Sequence, residues 1–161
     1  RIMRNILLII IAFLVYSSVN AQPKIGTMAP EISIPDTTGQ TRSLSSLQGK
    51  VVLVDFWASW CAPCRKSNRS IGSIYNKYHQ KGFEILGISL DTDIKAWQKA
   101  IRADRINWLQ VQEPGGWDAP TALAWGIEQL PAAWLLDKQG RVISIDPTHE
   151  ELEKYLQQAL K

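Results

Sequence analysis

The sequence predicts an α/β fold: a mixed β-sheet flanked by helices and preceded by an N-terminal β-hairpin. Three observations carry that prediction. Val51-Val52-Leu53-Val54-Asp55-Phe56-Trp57 is a nearly unbroken β-favouring run, as expected of a strand buried on both faces. A helix pattern follows it directly, with Ile71, Ile74, Tyr75 and Tyr78 at helical spacing and Gly82 as the stop. The alternation of strand and helix then repeats before the chain closes with two strands and a helix, which puts helices on both faces of one sheet.

Each element has its own signal. Residues 31–35 and 41–44 flank Asp36-Thr37-Thr38-Gly39-Gln40, a turn composition that predicts the leading hairpin. Residues 45–47 predict one helical turn ended by Gly49. A second apolar strand covers 83–90. Asp91-Thr92-Asp93 offers caps for a helix carrying Ile94, Trp97 and Ile101, with a short strand predicted at 108–111 beyond it. The stretch from Glu113 to Pro120 is a loop that exposes Trp117, and a short helix at 121–125 ends at Gly126. Strands at 132–136 and 142–145 are joined by the hairpin turn Asp137-Lys138-Gln139-Gly140. Thr148 and Glu151 match a capping box, and Leu152, Tyr155, Leu156 and Leu160 give the last helix its apolar face. Trp97, Trp125 and Trp134 stand at core positions.

The chain of 161 residues, 45% hydrophobic, is long enough for one core. Its formal charge of +3 includes Arg1 and Arg4 in the first segment, so the remainder carries no electrostatic signature of nucleic-acid binding. That first segment predicts an export signal over 1–21, followed by a folded domain over 22–161. A basic start leads into the apolar run Ile6 to Val15, and Ser17-Ser18-Val19-Asn20-Ala21 ends it with small residues at a cleavage site. The run is shorter than the roughly 20 residues a spanning helix needs; an uncleaved anchor is the alternative. A periplasmic or cell-envelope location follows.

Export changes the meaning of the two cysteines, Cys61 and Cys64. In an oxidising compartment cysteines are usually structural staples. A bridge between residues three apart closes a tiny loop and removes little unfolded-chain entropy, so stapling explains them poorly. Zinc needs further ligands, and His79 and His149, the only histidines, lack the paired spacing; no metal is expected. Both histidines read as ordinary surface. Redox chemistry fits better. Cys61 falls at a strand–helix junction, where unpaired backbone N–H groups and the helix dipole favour a thiolate. Cys64 lies one turn on, placed to attack a mixed disulfide at Cys61. Pro63 suits a helix start. Asp55 interrupts an apolar strand, where burial raises a carboxyl's pKa and makes it a proton carrier for Cys64; a structural Asp bonded to a nearby hydroxyl is the alternative. Pro131, just before a strand, suits an edge strand or a cis bond. Arg65 and Lys66, directly after Cys64, form a solvated basic face.

Val54-Asp55-Phe56-Trp57-Ala58-Ser59-Trp60-Cys61-Ala62-Pro63-Cys64 resembles the active-site segment of the thioredoxin superfamily nearly position for position. The leader, the hairpin and the segment between Leu90 and Leu130 resemble its exported TlpA/ResA-like branch, over about residues 25–161. The resemblance implies a thioredoxin-like fold and thiol–disulfide exchange without a cofactor. It makes Cys61 the attacking and Cys64 the resolving cysteine of a redox-active disulfide, and Asp55 the buried acid. Pro131 becomes the cis-proline facing the CxxC, and Leu130 lends its backbone to a substrate chain. Trp57 and Trp60, with Pro63, shape the surround.

Protein thiols and disulfides are the implied substrates, apocytochrome c among them. A membrane-borne thiol donor is the implied partner, reduction the implied direction, and the protein is expected to act as a monomer. Three positions depart from the pattern: Gly87 where thioredoxin has a lysine, Ser67 where exported relatives carry a glutamate, and Arg69 where a proline often kinks the helix.

Two other functions fit the same fold. A thiol peroxidase would carry a threonine three residues before its reactive cysteine, but Ala58 stands three before Cys61 and Cys61 three before Cys64. A binding or chaperone module would use the Trp117 loop and keep its activity without the cysteines.

Overall fold

The computed structural model describes residues 22–161; the segment on which the predicted export signal falls lies outside the described residues. The elements run β1 (Ser33–Pro35), β2 (Thr41–Ser43), β3 (Val51–Trp57), α1 (Ala62–Tyr78), β4 (Phe83–Ser89), α2 (Ile94–Ala103), β5 (Leu109–Gln112), α3 (Pro120–Ala124), β6 (Ala132–Leu136), β7 (Val142–Ile145) and α4 (His149–Ala159). The main sheet has the order β5-β4-β3-β6-β7. β3, β4 and β5 are parallel, while β6 runs antiparallel to β3, and β7 to β6.

The alternation of side chains along β3 sorts the core into two layers. Leu53 and Trp57 point to one face, where Ile71, Ile74 and Tyr75 of α1, Trp97 of α2 and Leu152 and Leu156 of α4 cover them. Val52, Val54 and Phe56 point to the other, with Trp125, Trp134, Ala122 of α3 and Ile32 and Ile34 of the hairpin region. Phe56, Trp125 and Trp134 form one aromatic cluster with ring centroids 5.3–5.9 Å apart. The β1–β2 hairpin is thus a lid over this second face. It is tied to β5 through the Asp36–Val111 bridge, and the strap before it is tied to the sheet by Trp134 Nε1 donating to the Pro23 carbonyl at 3.0 Å.

The helix termini follow the residues that mark them. Asp93 accepts from the N–H groups of Lys95 and Ala96 to start α2, and the Thr148/Glu151 capping box starts α4. Gly82, at φ 103°, takes the left-handed conformation that ends the turn after α1. Three expectations change. The 113–120 loop contains a 3₁₀ turn at Gly116–Asp118, and β5 is set one residue later than its apolar pattern suggests. Ile94, expected on the apolar face of α2, stands exposed at its start.

Candidate active site

β3 delivers the chain to the site. After Trp57 it turns through Ala58-Ser59-Trp60 and enters α1 with Cys61 as the N-cap. The Cys61 Sγ accepts from the Cys64 backbone N–H at 3.3 Å, which is the contact that would stabilise a thiolate there. The first turn of α1 holds no acid to oppose that charge. Cys61 and Cys64 are joined in a disulfide with Cα atoms 5.3 Å apart, and both are buried. Pro63 falls in the first turn, where its missing N–H costs no helix bond. Trp60 and Pro63 stand exposed beside the pair.

The loop before Cys61 is clamped by two buried carboxylates that sequence reasoning missed. Asp91 accepts from the Ser59 N–H at 2.8 Å and from the Ser59 and Ser89 hydroxyls. The Ser59 carbonyl accepts from Arg65 Nη1 at 3.0 Å. Arg65 in turn makes a two-pronged pair with buried Asp104, through Nε to Oδ2 and Nη2 to Oδ1, and Arg69 adds a third donor at 3.1 Å. Arg65 is therefore a structural tie rather than part of a solvated face. Of the caps that Asp91-Thr92-Asp93 offers, Asp93 starts α2 and Asp91 serves the loop before Cys61. Nothing in the local pattern around Asp104 signals its partners, which lie 35 and 39 residues away.

Asp55 is the one position of β3 that is not fully buried, because its carboxyl opens on a cavity. Desolvation, and secondarily the charge of Asp146, push this carboxyl up to about 7. The Leu130–Pro131 bond is cis. β6 lies between β3 and β7, so the edge-strand reading of Pro131 falls and the cis reading stands. Phe56 pairs with Ala132, which sets Pro131 beside the end of β3 from which the CxxC springs. Pro131 also shares the Asp55 cavity, and Leu130 packs against the core cluster that holds both cysteines.

The departures from the thioredoxin pattern have visible causes. Gly87 is the β4 partner of Asp55. A Cβ there would lie 2.1 Å from the Gln110 Nε2, because the Gln110 side chain crosses over this residue to accept from Trp57 Nε1 at 2.9 Å. A neutral amide thus fills the place of a lysine. Arg69 is occupied by Asp104, and α1 runs as one helix of 17 residues through that point. Ser67 bonds His149. His149 is half-buried and lines the Asp55 cavity, which corrects its reading as ordinary surface.

A bridged CxxC at the head of a helix, following a strand that carries a carboxyl and runs beside a cis-proline on a mixed sheet, defines a thiol–disulfide oxidoreductase of thioredoxin-like fold. The chain belongs to the AhpC/TSA family, whose model matches residues 25–145. It is similar to the thiol-disulfide oxidoreductase ResA of Bacillus cereus, with 32% identity over 144 residues, covering 88% of this chain and 82% of that protein. The ResA of Bacillus subtilis is 28% identical over 147 residues, covering 88% and 80%. Among solved structures, the thioredoxin domain of a thiol-disulfide oxidoreductase from Bacteroides vulgatus superposes with a TM-score of 0.78 at 32% identity, over 86% of this chain and 99% of that one. A thiol-disulfide oxidoreductase from Bacteroides fragilis gives 0.76 at 35% identity, over 82% and 98%.

Proposed function

We propose that this protein is a cell-envelope reductase of protein disulfides, with Cys61 as the attacking and Cys64 as the resolving cysteine. The observation that carries this reading is the asymmetry of the pair. Cys61 caps α1 with its sulfur on a backbone donor, while Cys64 lies one turn into the helix and supplies that donor from its own N–H. The Cys61 thiolate attacks a target disulfide and forms a mixed disulfide. Cys64 loses its proton to Asp55 and attacks Cys61, which releases the target as a thiol. Trp60, Pro63, Leu130 and Pro131 form the surface that receives the target chain. The export signal read over 1–21 supports an envelope location. There a membrane-borne thiol donor resupplies electrons, and a disulfide of an apocytochrome c is a target of suitable chemistry.

The test is trapping. A Cys64→Ser variant should accumulate a mixed disulfide with a disulfide-bonded protein or peptide, and a Cys61→Ser variant should not. Capture by Cys64 instead of Cys61 would reverse the assignment. Equilibration in glutathione buffers fixes the direction: a strongly oxidising potential would rule out the reductase role.

A further inference from the structure

The cavity on which Asp55 opens is lined by polar as well as apolar groups. It has a volume of about 340 Å³, and polar groups from four places in the chain line it: Asp55 of β3, Ser67 of α1, Asp146 after β7 and His149 at the start of α4. A space of that size with several polar partners is one that water enters.

Two of these groups are held in place by specific bonds. Asp146 adopts φ 48°, a left-handed conformation unusual for a residue other than glycine. Its N–H donates to the Ala133 carbonyl at 2.8 Å and its Oδ1 accepts from the Ala133 N–H at 2.7 Å. Ala133 is the antiparallel partner of Asp55, so the Asp146 carboxylate is pinned to the strand position next to the acid. His149 is held from the other side, with Nε2 3.1 Å from the Ser67 hydroxyl and Nδ1 3.3 Å from that of Ser70. A hydroxyl can donate or accept, so this arrangement suits the neutral ring in either tautomer and the protonated ring as well. Asp146 is exposed at the outer side, so the cavity leads from the acid toward solvent.

We propose that His149, anchored by Ser67, is the outer station of a proton path that links Asp55 to solvent through this cavity. The inference rests on the reading of Asp55 as the proton acceptor for Cys64. In the resolving step the Cys64 sulfur bonds to Cys61, the Cys61–target bond breaks, and the electron pair leaves on the target sulfur. Two electrons have then passed from the dithiol to the target disulfide. The Cys64 proton is on Asp55, and His149 takes it across the cavity and releases it to solvent or buffer. When the donor recharges the pair, the proton travels inward by the same route.

The charged groups around the imidazole fit a shuttle. Asp55 and Asp146 face the same cavity, Glu150 and Glu153 follow on α4, and α1 carries Lys66 directly before Ser67 and Lys77 held by Glu153 at 2.7 Å. Burial lowers the imidazole from its ordinary value, which keeps the ring ready to accept at neutral pH.

The experiment follows a single turnover of the reduced protein with a fluorescent disulfide peptide in weakly buffered solution between about pH 6 and 8, a range set by the imidazole. His149→Gln keeps a hydrogen-bonding side chain and leaves the capping box of α4 intact. It should slow release of the peptide thiol about tenfold, at the low end of proton-transfer effects, without changing the initial attack by Cys61, and added imidazole should restore the rate. Ser67→Ala should slow release less, with the same rescue. Asp55→Asn should slow release with no rescue. Unchanged release in His149→Gln beside slow release in Asp55→Asn would overturn the path and leave the Asp55 role intact. Slowing that imidazole does not relieve, or that equally affects the first attack, would overturn it as a packing effect. Fast release in Asp55→Asn would overturn both readings.

Discussion

A single carboxyl in β3 ties the stability of the fold to pH. In the unfolded chain Asp55 ionises near its ordinary 3.8, and in the folded protein near 7. Between those values the folded state holds a proton that the unfolded state has lost, so stability falls as pH rises, and the loss is complete above 7. Its ceiling is about 4 kcal/mol, lowered by contact with the cavity, so about 2–4 kcal/mol is expected. Asp55→Asn does not titrate. Urea unfolding of the oxidised protein should therefore show the variant gaining on the parent from pH 4 to 7 and holding a constant lead above 7; a difference independent of pH would contradict the burial argument. Gly87 offers a second test. Alanine there must displace the Gln110 amide and break its bond to Trp57, at a cost of about 1–3 kcal/mol. In a Gln110→Ala background the same change should cost much less, and the non-additivity measured by a double-mutant cycle is the signature.

The elements were legible where local pattern and tertiary role agree. β3, β6 and β7 stand where their apolar runs place them, and α1 and α4 begin at the caps their sequences carry. The candidate site was legible in part: Cys61, Cys64 and Asp55 stand out by motif or by an apparent misfit in an apolar strand, and Pro131 by the resemblance. Asp91, Asp104, Asp146 and His149 did not, because their partners come from distant elements and a charged residue near a helix end looks like surface. The Arg65–Asp104 tie illustrates why that matters at this scale. It joins the first turn of α1 to the end of α2, and with Ser59 it fixes the approach to Cys61. Asp104→Asn removes the charge but keeps the shape. It should cost about 1–3 kcal/mol, below the 3–5 of a fully buried pair because Arg65 and Arg69 reach solvent. A lower urea midpoint at constant m-value would show it. Faster alkylation of reduced Cys61 would accompany it if the tie also holds the thiolate in place, and an unchanged midpoint would remove Asp104 from the support of α1.

At the scale of the whole molecule, the Asp55 cavity and the Trp117 loop lie on opposite sides of the sheet. The face under α1 and α4 holds Asp55 and its cavity, whereas the loop leading to α3, on the other side of the sheet, brings Trp117 to Trp60 with ring centroids 6.1 Å apart. Both rings are large and solvent-exposed, at 58% for Trp60 and 40% for Trp117, while Trp57, Trp97, Trp125 and Trp134 are almost wholly buried. Two tryptophans left outside a core that absorbs the other five have apolar area to offer a partner, and Trp60 adjoins Cys61. Their contribution should depend on the length of the target. A protein disulfide spans both rings, whereas a small disulfide such as oxidised glutathione reaches Cys61 without them. Replacing both with alanine should therefore raise KM for a protein target about tenfold or more, as loss of interface aromatics does, while the rate with the small disulfide and the potential stay as they were. Equal losses with both substrates would mean that the pair shapes the cysteines instead of the target surface.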